Sequence, residues 1–234
     1  MNNTIIIEEI RKLCPPGIYE TGYASLKGLL HPDFSSFPFG ISIARKLDDS
    51  IIDKIKDGPT MAYHDLYHSV NLELNDKVTK IAEFINSQGI NCLAVKATLP
   101  DSEIDESYAQ TLRYKISHKM VATRSGLGWI GKTDLLITKR FGPRVRLASI
   151  LTSEPVSSPG IPVEESLCGS CDLCVKKCPA SASNGMLWSK DIDRDEFYDA
   201  VKCRNYCKTI SDRLLGKDIS ICGICVSICP KGRV

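Results

Sequence analysis

The chain has 234 residues, 43% of them hydrophobic and 25% charged, and 30 lysines and arginines against 28 aspartates and glutamates leave a formal charge of +2. These values exclude a disordered, collagenous or coiled-coil protein and allow one large domain or two small ones with a sizeable core. The near-neutral balance gives no argument for an extended nucleic-acid surface. No apolar run is long enough to cross a bilayer, so no membrane association is expected. The amino terminus, MNNTIIIEEIRKLC, lacks the basic lead and cleavage site of a secretion signal, which points to a cytoplasmic, reducing location.

In chain order, TIIIEEIRKL (4–13) predicts a helix, and IYETGYA (18–24) and PFGISIARK (38–46) predict strands. Tyr67, Val70, Leu74, Val78, Ile81 and Ile85 recur at three- and four-residue steps and mark an amphipathic helix. INCLAVKA (90–97) follows as a buried strand. Tyr108, Leu112, Ile116 and Met120 are four apart and predict a second long helix, running into the glycine-rich SGLGWIGK (125–132). TDLLIT (133–138) and VRLASIL (145–151) read as a strand pair around the turn RFGPR, and TSEPVSSPGIPVEES (152–166) as a linker. The expected organisation is an α/β domain over residues 1–155 and a cysteine-rich domain over 156–234.

Nine of the eleven cysteines lie after residue 167. In a reducing compartment such a density of thiols indicates metal ligands rather than disulfides. Cys168, Cys171, Cys174 and Cys178, followed by Pro179, have the spacing of the bacterial two-cluster ferredoxin run. In that run three thiolates hold one cubane and the fourth reaches across to another. Cys222, Cys225 and Cys229, followed by Pro230, repeat the run with its first cysteine replaced by Ile219. One cubane then takes Cys168, Cys171, Cys174 and Cys229. The other takes Cys178, Cys222, Cys225 and either Cys203 or Cys207. Zinc in a cysteine-only ribbon is the alternative, but it fits the triple run and the Cys-Pro endings poorly. Two 4Fe-4S clusters conduct single electrons, and the long domain before them suggests that the electrons are delivered to something held there.

Gly126, Gly128 and Gly131 fit a dinucleotide-binding pattern, and Gly126 with Gly131-Lys132-Thr133 fits a P-loop. Both patterns require a strand before and a helix after, because the phosphate sits on that helix's amino terminus. The order here is reversed, which argues against an ATP site. A tight structural turn is the plain reading; close backbone approach to a large ligand, with Trp129 as a flat apolar face, is the functional one. His64-Asp65-Leu66-Tyr67-His68 imitates a zinc-protease helix without an obvious third ligand, so surface or core histidines are the default. Cys14 and Cys92 read as small buried hydrophobes.

The segments HKMVATRSGLGWIGKTDLLIT (118–138), ILTSEPV (150–156), CGSCDLCVKKCP (168–179), KCRNYCKTI (202–210) and CGICVSICP (222–230) together resemble the epoxyqueuosine reductase family. That resemblance implies an α/β (α+β) cobalamin-binding domain followed by a small ferredoxin-like domain with two 4Fe-4S clusters. It implies clusters that reduce a corrinoid cobalt, supplied by a low-potential donor such as ferredoxin or flavodoxin. It makes Cys203 the eighth ligand and leaves Cys207 spare. It also places Ser125, Gly126, Leu127, Gly128, Trp129, Gly131 and Lys132 against the corrinoid. The family's catalytic aspartate falls on His118, which reads either as a proton donor or as a polar residue closing the helix; Tyr108, Tyr114, Lys115 and Lys119 are reserve donors. The glycine-cysteine-aspartate entry to the family's second cluster is Ile221-Cys222-Gly223 here. No D-x-H-x-x-G segment is present, so base-off cobalamin without a protein histidine ligand is expected. Typical members continue into helical repeats that help grip tRNA, whereas this sequence ends at KGRV; this argues against tRNA as a partner. The expected function is a cobalamin-dependent reductase of a small substrate. The alternative is an electron-transfer or corrinoid-handling protein that serves a corrinoid protein.

Overall fold

The computed structural model describes residues 3–98 and 106–232. Its elements run α1 (Asn3–Leu13), β1 (Tyr19–Ser25), β2 (Phe39–Lys46), α2 (Asp49–Ile52), α3 (Met61–Ser87), β3 (Cys92–Val95), α4 (Glu106–Thr111), α5 (His118–Arg124), β4 (Gly128–Ile130), β5 (Leu136–Thr138), β6 (Val145–Thr152), α6 (Leu173–Lys176), α7 (Arg194–Phe197), α8 (Ala200–Leu215) and α9 (Ile224–Ile228). A four-stranded sheet has the order β1-β2-β6-β3 with antiparallel neighbours throughout, and β4 and β5 form a separate two-stranded ribbon.

Side chains alternate across the main sheet, and each face is covered by helix. Ile41, Ile43, Ala148 and Ile150 pack on Val70, Leu74, Val78, Ile81 and Ile85 of α3 and on Ile6 and Ile10 of α1. Each fully buried isoleucine contributes about 1.5–3 kcal/mol. The apolar stripe foreseen from Tyr67 to Ile85 therefore lies on a helix that begins earlier, at Met61, where the Thr60 hydroxyl accepts from the Tyr63 amide at 3.2 Å. On the other face, Leu151, Ala24 and Leu26 pack against Val121 of α5.

Four expectations change. The strand near 90–97 is a sheet edge rather than a buried strand, and Leu93 remains 38% exposed. The second long helix is two short ones. Leu112 adopts a positive φ of 53°, and the Ser117 hydroxyl caps a fresh helix by accepting from the Met120 amide at 3.3 Å. The apolar four-step spacing marks residues that face one cavity, described below, not one continuous helix. Residues 133–138 and 145–151 do not pair with each other: β5 pairs with β4, and β6 takes the centre of the main sheet between β2 and β3. Finally, the segment 152–166 is docked. The Gly160 amide donates to the Tyr23 carbonyl at 2.8 Å and the Val163 amide to the Thr123 carbonyl at 2.9 Å.

The cysteine-rich half shares the core of the first half, since Ile221 and Val226 pack in the same apolar cluster as Ile55 and Tyr63. Arg144, 1% exposed, binds Asp49 at 2.7 Å, Asp53 at 2.6 Å and the Ser227 carbonyl at 3.3 Å, tying α2 to α9. No helix among the described residues is long and apolar enough to cross a membrane.

Gly128 is required by the β4–β5 ribbon: a Cβ there would stand 2.0 Å from the Ile137 carbonyl oxygen. Gly128→Ala should therefore cost about 1–3 kcal/mol through overpacking. Thermal denaturation monitored by circular dichroism checks this, and an unchanged midpoint contradicts it.

Candidate metal centres and the adjoining cavity

Two groups of thiols lie side by side. Cys168, Cys171, Cys174 and Cys229 line one small cavity together with Lys132 and Lys231. Cys168 and Cys171 lie in the loop that opens into α6, Cys174 lies in α6 itself, and Cys229 follows α9. Two groups from the glycine-rich segment donate to these sulfurs. The Trp129 Nε1–H meets Cys168 Sγ at 3.3 Å, and the Thr133 hydroxyl hydrogen-bonds Cys174. Lys132 is only 6% exposed and makes no salt bridge among the described residues. A buried ammonium needs a countercharge, and thiolates around an anionic cluster provide one.

The second group is built on α8 and the amino-terminal end of α9. Cys203 and Cys207 lie one turn apart on α8 with their Sγ atoms 3.8 Å apart. Cys207 also hydrogen-bonds Cys222, and the Tyr198 hydroxyl hydrogen-bonds Cys203. Hydrogen bonding from Cys207, and less strongly from Tyr198, pulls the Cys203 thiol down from its ordinary range despite burial, which favours the thiolate that binds iron. Cys225 lies between the groups. It borders the first cavity, and its thiol is pushed up, first by burial and then by Cys222, Cys203, Cys174 and Cys178. The donors are soft sulfurs spread around two centres, which fits two cubanes.

A cavity of about 1070 Å³ lies next to the second group. Tyr108, Leu112, Ile116, Lys119 and Met120 of the α4–α5 region form one wall, and Lys208, Ile219 and Ser220, which flank Cys207 and Cys222, form another. Its size exceeds the usual range of small-molecule pockets, about 300–1,000 Å³, and suits a macrocycle. Cations outnumber carboxylates on its walls: Lys96, Arg113, Lys119, Arg124, Lys190, Arg194 and Lys208 face Asp134 and Asp218.

Of the glycine loop, only Ile130 reaches this cavity. Ser125 is buried and donates to the Ala122 carbonyl at 2.9 Å, and Gly126, with φ of 80°, lies against the Ile161 carbonyl. Leu127 packs beside Ala122, Ile130 and Leu136, while Gly128 and Trp129 belong to β4. Gly131 and Lys132 face the first thiol group. Ser125, Gly126, Leu127, Gly128, Trp129, Gly131 and Lys132, expected against a corrinoid, thus do not border this cavity; the loop turns towards Cys168 and Cys174. Sequence reasoning missed Lys96, Lys208, Asp218 and Ser220 as wall residues, because they come from distant segments with no local motif.

His118 lines the cavity and is held by two hydrogen bonds. Its Nε2–H donates to the Lys96 carbonyl at 3.0 Å, and Nδ1 accepts from the Ser149 hydroxyl at 2.9 Å. Burial pushes its pKa down to about 4, so the ring is neutral at physiological pH with both nitrogens engaged. His64 and His68 stack at 4.5 Å between ring centroids on α3, with His64 turned to Asp65.

Residues 167–232 match the family described as a 4Fe-4S double cluster binding domain. The epoxyqueuosine reductase of Bacillus anthracis is 31% identical over 172 residues, covering 71% of this chain and 39% of that protein. The enzyme of the same name from Listeria monocytogenes is 34% identical over 126 residues, covering 51% and 30%. The chain is similar to the epoxyqueuosine reductases over these segments. It spans about two-fifths or less of the length of these two curated relatives. The fold agrees with a crystal structure of epoxyqueuosine reductase bound to an epoxyqueuosine-modified tRNA-Tyr stem loop (TM-score 0.60, 18% identity, 98% of this chain and 64% of that one). It agrees also with a reductive dehalogenase structure whose description concerns B12-dependent dehalogenation (TM-score 0.63, 15% identity, 92% and 30%).

Two outcomes follow from these contacts. Hydrogen bonds to cluster sulfurs stabilise the reduced, more negative state. After anaerobic loading with iron and sulfide, Trp129→Phe should therefore lower one cluster potential, by about 59 mV if the bond changes the reduction equilibrium tenfold. An EPR-monitored redox titration reads this, and a potential unmoved or raised contradicts it. Because the folded pKa of His118 lies below the free value of 6.5, the unfolded chain binds the proton more readily, and stability present above pH 6.5 is lost as pH falls towards 4. At about pH 5.5 the loss is about 1 kcal/mol, and His118→Gln should remove that part of the pH dependence of chemical denaturation.

Proposed function

We propose that this chain is a cobalamin-dependent iron–sulfur reductase acting on a small substrate. The observation that carries the reading is the adjacency of the large cavity to the second thiol group, through Lys208, Ile219 and Ser220. In this reading Cys168, Cys171, Cys174 and Cys229 hold one 4Fe-4S cluster, and Cys178, Cys203, Cys222 and Cys225 hold the other, nearer the cavity. When bound, the clusters supply single electrons from a low-potential donor such as ferredoxin or flavodoxin, and the corrinoid supplies a cobalt centre able to carry them to a substrate. A cytoplasmic location agrees with free thiols in such numbers.

The chain's own residues shape the rest. Leu112, Ile116, Met120 and Ile130 contribute apolar surface to the cavity. Both nitrogens of His118 are committed to protein groups, which supports a corrinoid without a protein histidine ligand. A reduction also needs a proton at the substrate. Lys119 Nζ stands on the cavity wall, donating to the Asp134 carbonyl at 2.9 Å and to the Asp134 carboxylate. In this reading Lys119, one of the reserve donors, is the proton donor in place of His118.

The second reading, an electron-transfer protein that reduces or carries the corrinoid of a partner, is favoured by one observation: the residue in the family's catalytic position is neutral and fully hydrogen-bonded. The same experiment separates the two. The chain is loaded anaerobically with iron, sulfide and cobalamin, then given a strong reductant and epoxyqueuosine, free and within a tRNA stem loop. The proposal expects about one corrinoid per chain and turnover that falls about 10²-fold in Lys119→Met but little in His118→Gln. Corrinoid bound and reduced without turnover of either substrate supports the second reading. No corrinoid uptake overturns both.

A further inference from the structure

Two cubanes need about eight cysteine ligands, and nine cysteines follow residue 167. Cys207 is the additional one. An unused buried cysteine ordinarily sits among apolar side chains, as Cys14 does beside Ile6 and Ile10. Cys207 instead meets sulfur. It is 7% exposed, it shares a face of α8 with Cys203 one turn away, and its Sγ stands 3.8 Å from that of Cys203. Its thiol also hydrogen-bonds Cys222, at the start of the last cysteine run.

We propose that Cys207 is an alternative iron ligand of the second centre, able to take the corner that Cys203 occupies. This deepens the two-cluster reading above and rests on it. The exchange is balanced without any change of oxidation state. The iron–sulfur bond to Cys203 breaks, the bond to Cys207 forms, and the Cys207 thiol proton passes to the released Cys203 sulfur. Helix α8 needs no rearrangement, because both sulfurs already stand on the same side of it. Tyr198, hydrogen-bonded to Cys203, keeps a partner for that sulfur when it is released. The two ligation states differ in whether the iron-bound sulfur accepts from Tyr198, so they should differ in potential and in EPR signal.

The test uses the full chain and the variants Cys203→Ala, Cys207→Ala, Cys203→Ala/Cys207→Ala and Cys225→Ala. All are loaded anaerobically with iron and sulfide, and folding is checked by circular dichroism. The native chain should take up about eight irons. Each single change at 203 or 207 should keep about eight, with an altered EPR signal for Cys203→Ala. The double variant and Cys225→Ala should fall to about four. A folded Cys203→Ala chain with only about four irons overturns the proposal and leaves the two-cluster reading standing. So does a double variant that still binds about eight. A native chain that never exceeds about four irons overturns the two-cluster reading itself, and the proposal with it.

Discussion

Cys229 returns from the end of the last cysteine run to stand with Cys168, Cys171 and Cys174. A short loop can direct three sulfurs at three corners of a cubane, but the fourth corner points away, so a distant segment has to complete the set. That requirement closes the carboxy-terminal half on itself. It brings α9 against α6, places Cys225 between the two thiol groups, and sets α8 with Cys203 and Cys207 beside the larger cavity. Residues flanking the second group can then form a wall of that cavity.

The first half of the chain contributes more than a floor for this arrangement. Its glycine-rich segment turns through the β4–β5 ribbon and delivers the Trp129 N–H and the Thr133 hydroxyl to two sulfurs of the first group, with Lys132 buried alongside. Donors and a cation gathered around thiolates offset the cost of concentrating negative charge in a low-dielectric interior. Arg144 completes the joint between the halves, linking Asp49 and Asp53 near α2 to the backbone of α9. The halves are therefore coupled at the cluster side and at the cavity side, and loading of one should stabilise the other.

Much of this was legible in the residues. Cysteine spacing is a local property imposed by cluster geometry, so the two cysteine runs could be read directly. So could α1, β1, β2 and α3, whose apolar periodicities are strong. What could not be read depended on distant partners. Residues 108–120 have helical spacing, yet Leu112 and Ser117 break the helix because the apolar side chains converge on a cavity rather than on one helical face. β5 and β6 are close in sequence, but β6 bonds to β2, which precedes it by about a hundred residues. The glycine loop was placed against a corrinoid by family resemblance; its contact between Trp129 and Cys168 joins segments about forty residues apart and carries no local signal. His118 stood open between a proton donor and a structural polar residue, because its hydrogen-bond partners, Lys96 and Ser149, lie on segments distant in sequence.

The central claim is that the thiols form two four-iron centres, one of them next to the large cavity. Anomalous diffraction at the iron edge from crystals of the anaerobically loaded chain tests it most directly. The account predicts two compact iron sites, one among Cys168, Cys171, Cys174 and Cys229 and the other among Cys178, Cys222, Cys225 and either Cys203 or Cys207, the second bordering the cavity wall at Ile219 and Ser220. A single site, or signal at the zinc edge instead, would contradict it.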